Sequence, residues 1–399
     1  MNTINNNVEH LKPLTSLRFV AAMMIVLLHC KLYFNWEWLA YLPVTLVHGV
    51  SFFFVLSGFI LSHVYSQRAN VTYGTFIWSR FARLWPCHVA TILILYYTIP
   101  EHSMTFGGEG MFNKWVVLIS NLTFTHSLFP YVAYNFSWNS VSWSISTEFF
   151  FYLFFPLLLI NLKKTWHYKL VLSIAPLVIL YFLNILLHIP LIAESIYVAT
   201  ITQIVYTNSF MRLFEFCLGM SSWVAWQNLS KRQLSFSIVS MLEITALILT
   251  ILWMVTGYDY VVRYAQPALA LIPDVFNQWL RTIGSAWIIA ILLVSIASAK
   301  GLVGRFLSIP IFVWLGEISF AVYMIHQILL KFFVIHYPQR IEAAMYFLVL
   351  IIVSAMLHHF IEIPMRKLLL LFGKQIKNLG EVGSFRRDNI VRSPSIERK

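Results

Sequence analysis

Eleven long apolar segments follow one another along this chain, and they limit its fold more than any other feature. They lie at about 15–34, 45–66, 76–99, 115–128, 143–162, 168–188, 203–226, 236–256, 282–299, 310–330 and 341–365. A helix needs about 20 mainly apolar residues to cross the hydrocarbon core of a bilayer, and only 115–128 falls well short. Inside lipid every backbone N–H and C=O must find a partner within the protein, which leaves helices or closed barrels. Runs of this length therefore predict an all-α, polytopic membrane bundle. The charge content agrees. Only 11% of residues are charged and 59% are hydrophobic, whereas soluble domains carry about 25% charge. A separate soluble domain of any size is not expected.

The distribution of cations sets the number of crossings. If 115–128 crossed, Lys163, Lys164 and Lys169 would face outward, against the bias that keeps Lys and Arg on the cytoplasmic side. Taking that segment as re-entrant or interfacial gives ten spans with both termini in the cytoplasm. Twenty-one of the 28 Lys and Arg residues then lie inside. The same topology accounts for the net charge of +12, so no nucleic-acid partner is expected. Residues 1–372 read as one membrane-embedded domain. Residues 373–399, rich in Gly, Ser, Arg and Lys, read as a disordered basic cytoplasmic tail able to rest on anionic lipid. The first apolar segment is followed by no small-residue cleavage site and is expected to remain in the protein. The expected location is the plasma (inner) membrane. Cys30, Cys87 and Cys217 sit in apolar runs without metal-ligand spacing and read as packing residues.

Several polar residues are costly where they stand. Arg18 and His29 lie eleven residues apart in the first segment, three helical turns plus about 20°. They share a face and are separated by roughly 16 Å along the axis. Ionisable groups at such depth usually face a bundle interior or a wet cavity. Arg80 and Arg83, in Ser79–Pro86, are i, i+3 neighbours at the cytoplasmic start of the third span, and paired guanidinium groups suit phosphate. Topological anchoring explains the same pair equally well. Glu148 follows a Ser-rich run and precedes Phe149, Phe150 and Phe151, so it needs a partner or water. Placed at the depth of His29, it would fix the imidazole tautomer for general-base chemistry.

Single polar residues elsewhere (His63, His88, His188, His326, His359) read as interhelical hydrogen bonds. Arg212 and Glu215 are spaced to pair with each other. His358 and Glu362, at i, i+4, would need a third ligand to hold a metal, and none is apparent. No nucleophile elbow, Walker loop or dinucleotide fingerprint occurs. The aromatic outer loops, Trp36–Tyr41 and Tyr131–Trp138, fit an interfacial belt and equally a sugar-binding surface.

Six ordered blocks carry a resemblance. "LTSLRFVAAMMIVLLHC" with its Arg18-x10-His29 spacing, "SFFFVLSGFILS", "SRFARLWP", "SVSWSISTEFFFYLFFPL", "WLGEISFAVYMIHQ" and "HHFIEIPMRK" resemble the acyltransferase-3 family from about residue 12 to 368. The resemblance implies a membrane protein, usually of ten spans, that moves an acyl group from cytosolic acyl-coenzyme A to an extracytoplasmic acceptor, often a cell-surface sugar. It implies functional roles for Arg18, His29, Arg80, Arg83 and Glu148, and the stand-alone form without an SGNH domain. The expected activity is O-acyl transfer, most simply of acetyl from acetyl-CoA, to a polysaccharide or glycolipid. His29 would be the base, with Glu148 orienting it and the arginines holding the donor. The residues admit both direct transfer and an acyl-histidine relay. Hydropathy alone admits a different class of function, a transporter or flippase of a sugar or lipid intermediate. The oligomeric state is not encoded in any of these features.

Overall fold

The computed structural model describes residues 11–34, 36, 38, 46–68, 71–101, 108–257, 273–337 and 342–375. The described residues form helices and no strand, which is the architecture predicted from the apolar runs. Eight helical stretches are long and apolar enough to cross a bilayer: Lys12–Tyr33, Leu46–Tyr65, Ser140–Leu159, Leu162–Leu187, Phe236–Val255, Asp274–Ile296, Pro310–His336 and Ala343–Gln375. Two further helices lie where the remaining predicted spans were expected. Tyr73–Thr98 has 26 residues and carries Arg80 and Arg83, and Leu213–Leu229 has 17 and carries Glu215. Beyond Gln375 the predicted tail lies outside the described residues.

Five helices lie at or beside the site. They are α1 (Lys12–Tyr33), α2 (Gly49–Tyr65), α3 (Tyr73–Thr98), α4 (Lys114–Leu122) and α5 (Trp143–Leu159). Four of them line the site, and α4 packs against α3. Pro13 sits in the first turn of α1, where its missing N–H costs nothing and its fixed φ suits a helix start. With nine residues, α4 is roughly 14 Å long, about half the hydrocarbon core. It gives way to the 3-10 turn His126–Leu128, so 115–128 does not cross. Irregular backbone at such depth has to be buried in protein, and here it is. Trp85 Nε1 donates to the Leu122 carbonyl at 3.3 Å, and His88 Nε2 lies 3.1 Å from that of Asn121. Ser142 Oγ reaches Asn121 Oδ1 at 3.2 Å and lies 3.3 Å from His126 Nε2.

The turn between α5 and α6 (Leu162–Leu172) departs from expectation. Instead of a cationic loop over 163–169, the chain reverses at Asn161, whose φ of 50° is left-handed, a conformation Asn tolerates better than most residues. Lys163 and Lys164 therefore lie in the first turn of α6 and Lys169 in its last, before the chain continues into α7 (Ala175–Leu187). Lys169 Nζ donates to the Ile160 carbonyl just past the end of α5, and Lys163 Nζ lies 5.8 Å from the Trp223 ring centroid. α6 and α7 expose most of their apolar side chains, as α9 (Phe236–Leu252) does after α8 (Leu213–Leu229). Those faces meet lipid.

The centre is held by close backbone approach. Without a hydrophobic drive between helices in lipid, small residues allow contact. On α2, Gly58 lies against the Phe216 carbonyl and Met220 N of α8, while Gly219 of α8 lies against the Val55 carbonyl and Phe59 N of α2. A Cβ at either position would overlap the facing carbonyl. After α10 (Asp274–Ile283), α11 (Ala286–Ile296) and α12 (Leu302–Leu307) comes α13 (Pro310–His336), whose Gly316 meets Thr15 and Ser16 of α1 in the same way. The chain then enters α14 (Ala343–Leu357). Replacing Gly219 with Val is expected to push α2 and α8 apart at a cost of about 1–3 kcal/mol or more. Thermal unfolding in detergent measures this, and an unchanged midpoint would contradict so close a contact.

Candidate active site

A cavity of about 350 Å3 is enclosed by α1, α2, α3, α5 and α13. Its polar lining comes from Thr15 and Arg18 of α1, Ser57 and His63 of α2, Arg68 just beyond α2, Arg83 of α3, Ser144 and Glu148 of α5, and Tyr323 of α13. Glu148 accepts hydrogen bonds from Ser57 Oγ at 3.2 Å and from the hydroxyl of Tyr152. Arg80 does not line the cavity. Its guanidinium carbon lies 5.6 Å from the Tyr65 ring centroid and 5.9 Å from that of Tyr152, so it backs the tyrosine that holds Glu148. Arg18 and Arg80 each lie within electrostatic reach of Arg83 and Glu148. The structure thus gathers four of the five predicted site residues at one pole.

Two further residues join them that the sequence did not single out for the site. Arg68 lies between this cavity and a second, of about 240 Å3, lined by Tyr65, Tyr73, Phe76 and Phe155. Glu362 acts electrostatically on Arg18, Arg83 and Arg366. It is carried by the π-helical stretch His358–Glu362 after α14 and pairs with His358 Nδ1 at 2.8 Å. Such π segments are rare and recur at functional sites.

His29 stands apart, three turns further along α1. Its Nδ1 lies 2.9 Å from Nε2 of His326 on α13. His326 is fully buried, and its Nδ1 lies 2.6 Å from the Tyr323 carbonyl. Tyr346 of α14 donates its hydroxyl to the His326 carbonyl at 3.1 Å. The expectation that Glu148 orients His29 is corrected. Glu148 bonds to Ser57 and Tyr152 among guanidinium groups, and His29 bonds to a second histidine. The physical reason is that two hydroxyl donors and a field of nearby arginines stabilise a carboxylate, which an apolar helix face cannot do. His326 makes the interhelical hydrogen bond expected of it, and its partner across the helices is His29.

The cavity ends just short of these histidines. Phe53 and Tyr323 pack edge to face at 5.6 Å and form its floor. The Tyr323 hydroxyl is anchored by the Val141 carbonyl at 3.1 Å and by Ser144 Oγ at 2.8 Å. His326 is one helical turn further on and is not among the residues lining this cavity.

The remaining predicted pairs take structural positions. Arg212 and Glu215 are almost completely buried and form a two-pronged ion pair, Nε–Oε2 at 2.7 Å and Nη2–Oε1 at 3.0 Å. Arg212 Nη2 also donates to Ser51 Oγ at 3.1 Å, and Phe54, Trp143 and Tyr206 surround the guanidinium. Cys30, Cys87 and Cys217 are buried free thiols.

Comparison with known proteins identifies the family. The family model described as an acyltransferase domain, acyltransferase-3, matches residues 13–359. The "Acyltransferase MdmB" of Streptomyces mycarofaciens is 30% identical over 351 residues, covering 84% of this chain and 81% of that protein. The "Protein 2 in picA locus" of Rhizobium radiobacter is 35% identical over 85 residues, which is 21% of this chain and 42% of that protein. No solved structure matches. The arginine-lined cavity and the histidine beyond it are therefore features of a membrane enzyme that transfers acyl groups, and the chain belongs to the acyltransferase-3 family.

Proposed function

We propose that the protein transfers an acyl group, acetyl in the simplest case, from cytosolic acyl-coenzyme A to a hydroxyl of an extracytoplasmic polysaccharide or glycolipid. The observation that carries this reading is the cavity where Arg18, Arg68 and Arg83 converge, on the helix face that leads to His29. Guanidinium forks match phosphate oxygens, and the donor is a polyphosphorylated molecule with a long, thin acyl-bearing arm. The arginine pole faces the cytoplasm in this reading, as the bias of cations to that side requires. The aromatic cavity across Arg68 would accept the planar base of the donor, whose phosphates lie against the guanidinium groups.

The chemistry falls to His29. Its imidazole takes the proton of the acceptor hydroxyl as the oxygen attacks the thioester carbonyl. The carbon–sulfur bond then breaks, and the thiolate leaves with the proton that the imidazole returns. The products are an ester and free coenzyme A. The Trp36 and Trp38 rings, stacked at 5.9 Å just past the end of α1, offer the acceptor sugar an apolar platform.

Incubating purified protein with radiolabelled acetyl-coenzyme A and cell-wall glycans is expected to label the glycan. Arg83→Ala should weaken donor binding roughly tenfold or more, because hydrogen bonds to charged groups are worth about 1.5–3 kcal/mol, and Arg80→Ala should weaken it less, because that guanidinium backs Tyr152 and does not line the cavity. Unchanged donor affinity in the double variant, with normal insertion, would return both arginines to topology alone.

A further inference from the structure

We infer that His326 is a positioning residue: it holds His29 in the tautomer that leaves Nε2 of His29 bare, so that Nε2 is the atom that takes the acceptor's proton. This rests on the reading of His29 as the base and names the atom and the partner on which that reading depends.

The assignment follows from hydrogen-bond bookkeeping along the chain of contacts. A backbone carbonyl can only accept. His326 Nδ1 faces the Tyr323 carbonyl at 2.6 Å, so that nitrogen carries a proton. A neutral imidazole has one N–H, which leaves His326 Nε2 as an acceptor. His29 Nδ1 lies 2.9 Å from it. Two lone pairs cannot share that distance, so His29 Nδ1 carries the proton and donates. The other nitrogen of His29 is then unprotonated.

The alternative is a cationic His326 with both nitrogens donating. It would place a charge on a ring with no exposed surface whose hydrogen-bond partners are the neutral carbonyls of Tyr323 and Val322 and a second histidine. Desolvation disfavours that state. The charged and titratable groups around the pair do not reverse this. Lys331 of α13 is a cation acting on His29. Tyr346 of α14 is committed to the His326 carbonyl, and Tyr323 is committed to Val141 and Ser144. Cys30 of α1, next to His29 in the chain, is a buried free thiol.

The arrangement also suits the step itself. When Nε2 takes a proton, the ring becomes a cation whose Nδ1–H already points at an acceptor, and that bond strengthens with the charge. His326 has no need to move or to exchange its own proton. It does for His29 what a carboxylate does for many catalytic histidines, without a second charge at this depth.

The experiment compares His326→Gln with His326→Leu, alongside His29→Gln. A Gln amide oxygen can stand where Nε2 of His326 stands and accept the same bond, whereas Leu fills the space and accepts nothing. His326→Leu is expected to lower kcat by roughly 10²–10⁴-fold with the KM for acetyl-coenzyme A unchanged. Its acid limb in the pH profile should move to lower pH by about one unit or more, since a bond to the protonated ring is lost. His326→Gln is expected to recover most of kcat. Should His326→Gln be as inactive as His326→Leu while both bind donor and insert normally, the inference is overturned. It is equally overturned if His326→Leu keeps wild-type kcat while His29→Gln is inactive, an outcome that leaves His29 as the base. Turnover by His29→Gln would instead remove the underlying reading. Nitrogen-15 NMR of histidine-labelled wild-type protein reads the tautomer without any substitution. An Nδ1–H signal for His29 supports the inference and an Nε2–H signal refutes it.

Discussion

His29→Gln and His29→Ala are expected to insert normally, bind the acyl donor with wild-type affinity and lose acyl transfer by about 10²–10⁴-fold. The separation of binding from chemistry comes from geometry. The guanidinium groups that would hold the donor lie at the Arg18 level of α1, roughly 16 Å along the helix from His29, and His29 lines no part of their cavity. Gln retains a hydrogen-bonding group of similar reach but takes no proton at neutral pH. It therefore removes the base while filling the site. Single-turnover transfer at saturating donor is the measurement, with donor affinity determined separately. Appreciable turnover by His29→Gln would pass the role of base to Glu148 or His326.

Glu215→Ala should be the most destabilising single substitution outside the site. Removing one partner of a buried ion pair typically costs about 3–5 kcal/mol, because the other charge is left without compensation. Here the stranded group would be Arg212, 1% exposed and enclosed by three aromatic rings. A double variant, Arg212→Met with Glu215→Leu, is expected to recover much of the loss, since apolar residues of similar volume often replace such pairs at little cost. Unfolding in detergent compares the three proteins. A loss under about 1 kcal/mol in Glu215→Ala would mean that water reaches the pair. Donor affinity per folded molecule should not change, which separates this effect from those at the arginine cavity.

Local relations were legible in the sequence and distant ones were not. The i, i+3 spacing of Arg212 and Glu215 predicted their pairing because one helical turn fixes the distance. The spacing of Arg18 and His29 placed both on one face for the same reason. A polytopic helical bundle followed from the length of the apolar runs, eight of which are long and apolar enough to cross a bilayer as helices. The partner of His29 did not, because 297 residues separate it from His326 and one buried histidine looks like another in an apolar run. Glu148 was set at the depth of His29 because both lie near the outer ends of their helices. Depth within a span does not say which helix faces which, and Ser57 of α2 and Tyr152 of α5 hold the carboxylate within electrostatic reach of the arginines of α1 and α3. The π-helical turn that brings Glu362 toward Arg18 and Arg83 leaves no periodic mark in "HHFIEIP". A transporter remained open on hydropathy alone, and the match to an acyltransferase family over residues 13–359 closed that alternative.

The floor formed by Phe53 and Tyr323 bears on the energetics of the whole cell. A bilayer that stores a potential exerts about 2.3 kcal/mol per 100 mV on each charge that crosses it. An enzyme that draws one substrate from each side of such a membrane risks becoming a leak for protons and ions. The two rings, held edge to face and anchored through the Tyr323 hydroxyl, lie between the arginine cavity and the histidine pair. In the proposed reaction an acyl arm that parted them would occupy the gap it opened, so the reactant itself would be the stopper. The insulation would then be breached only by the molecule being processed, and a turnover would pass without discharging the membrane.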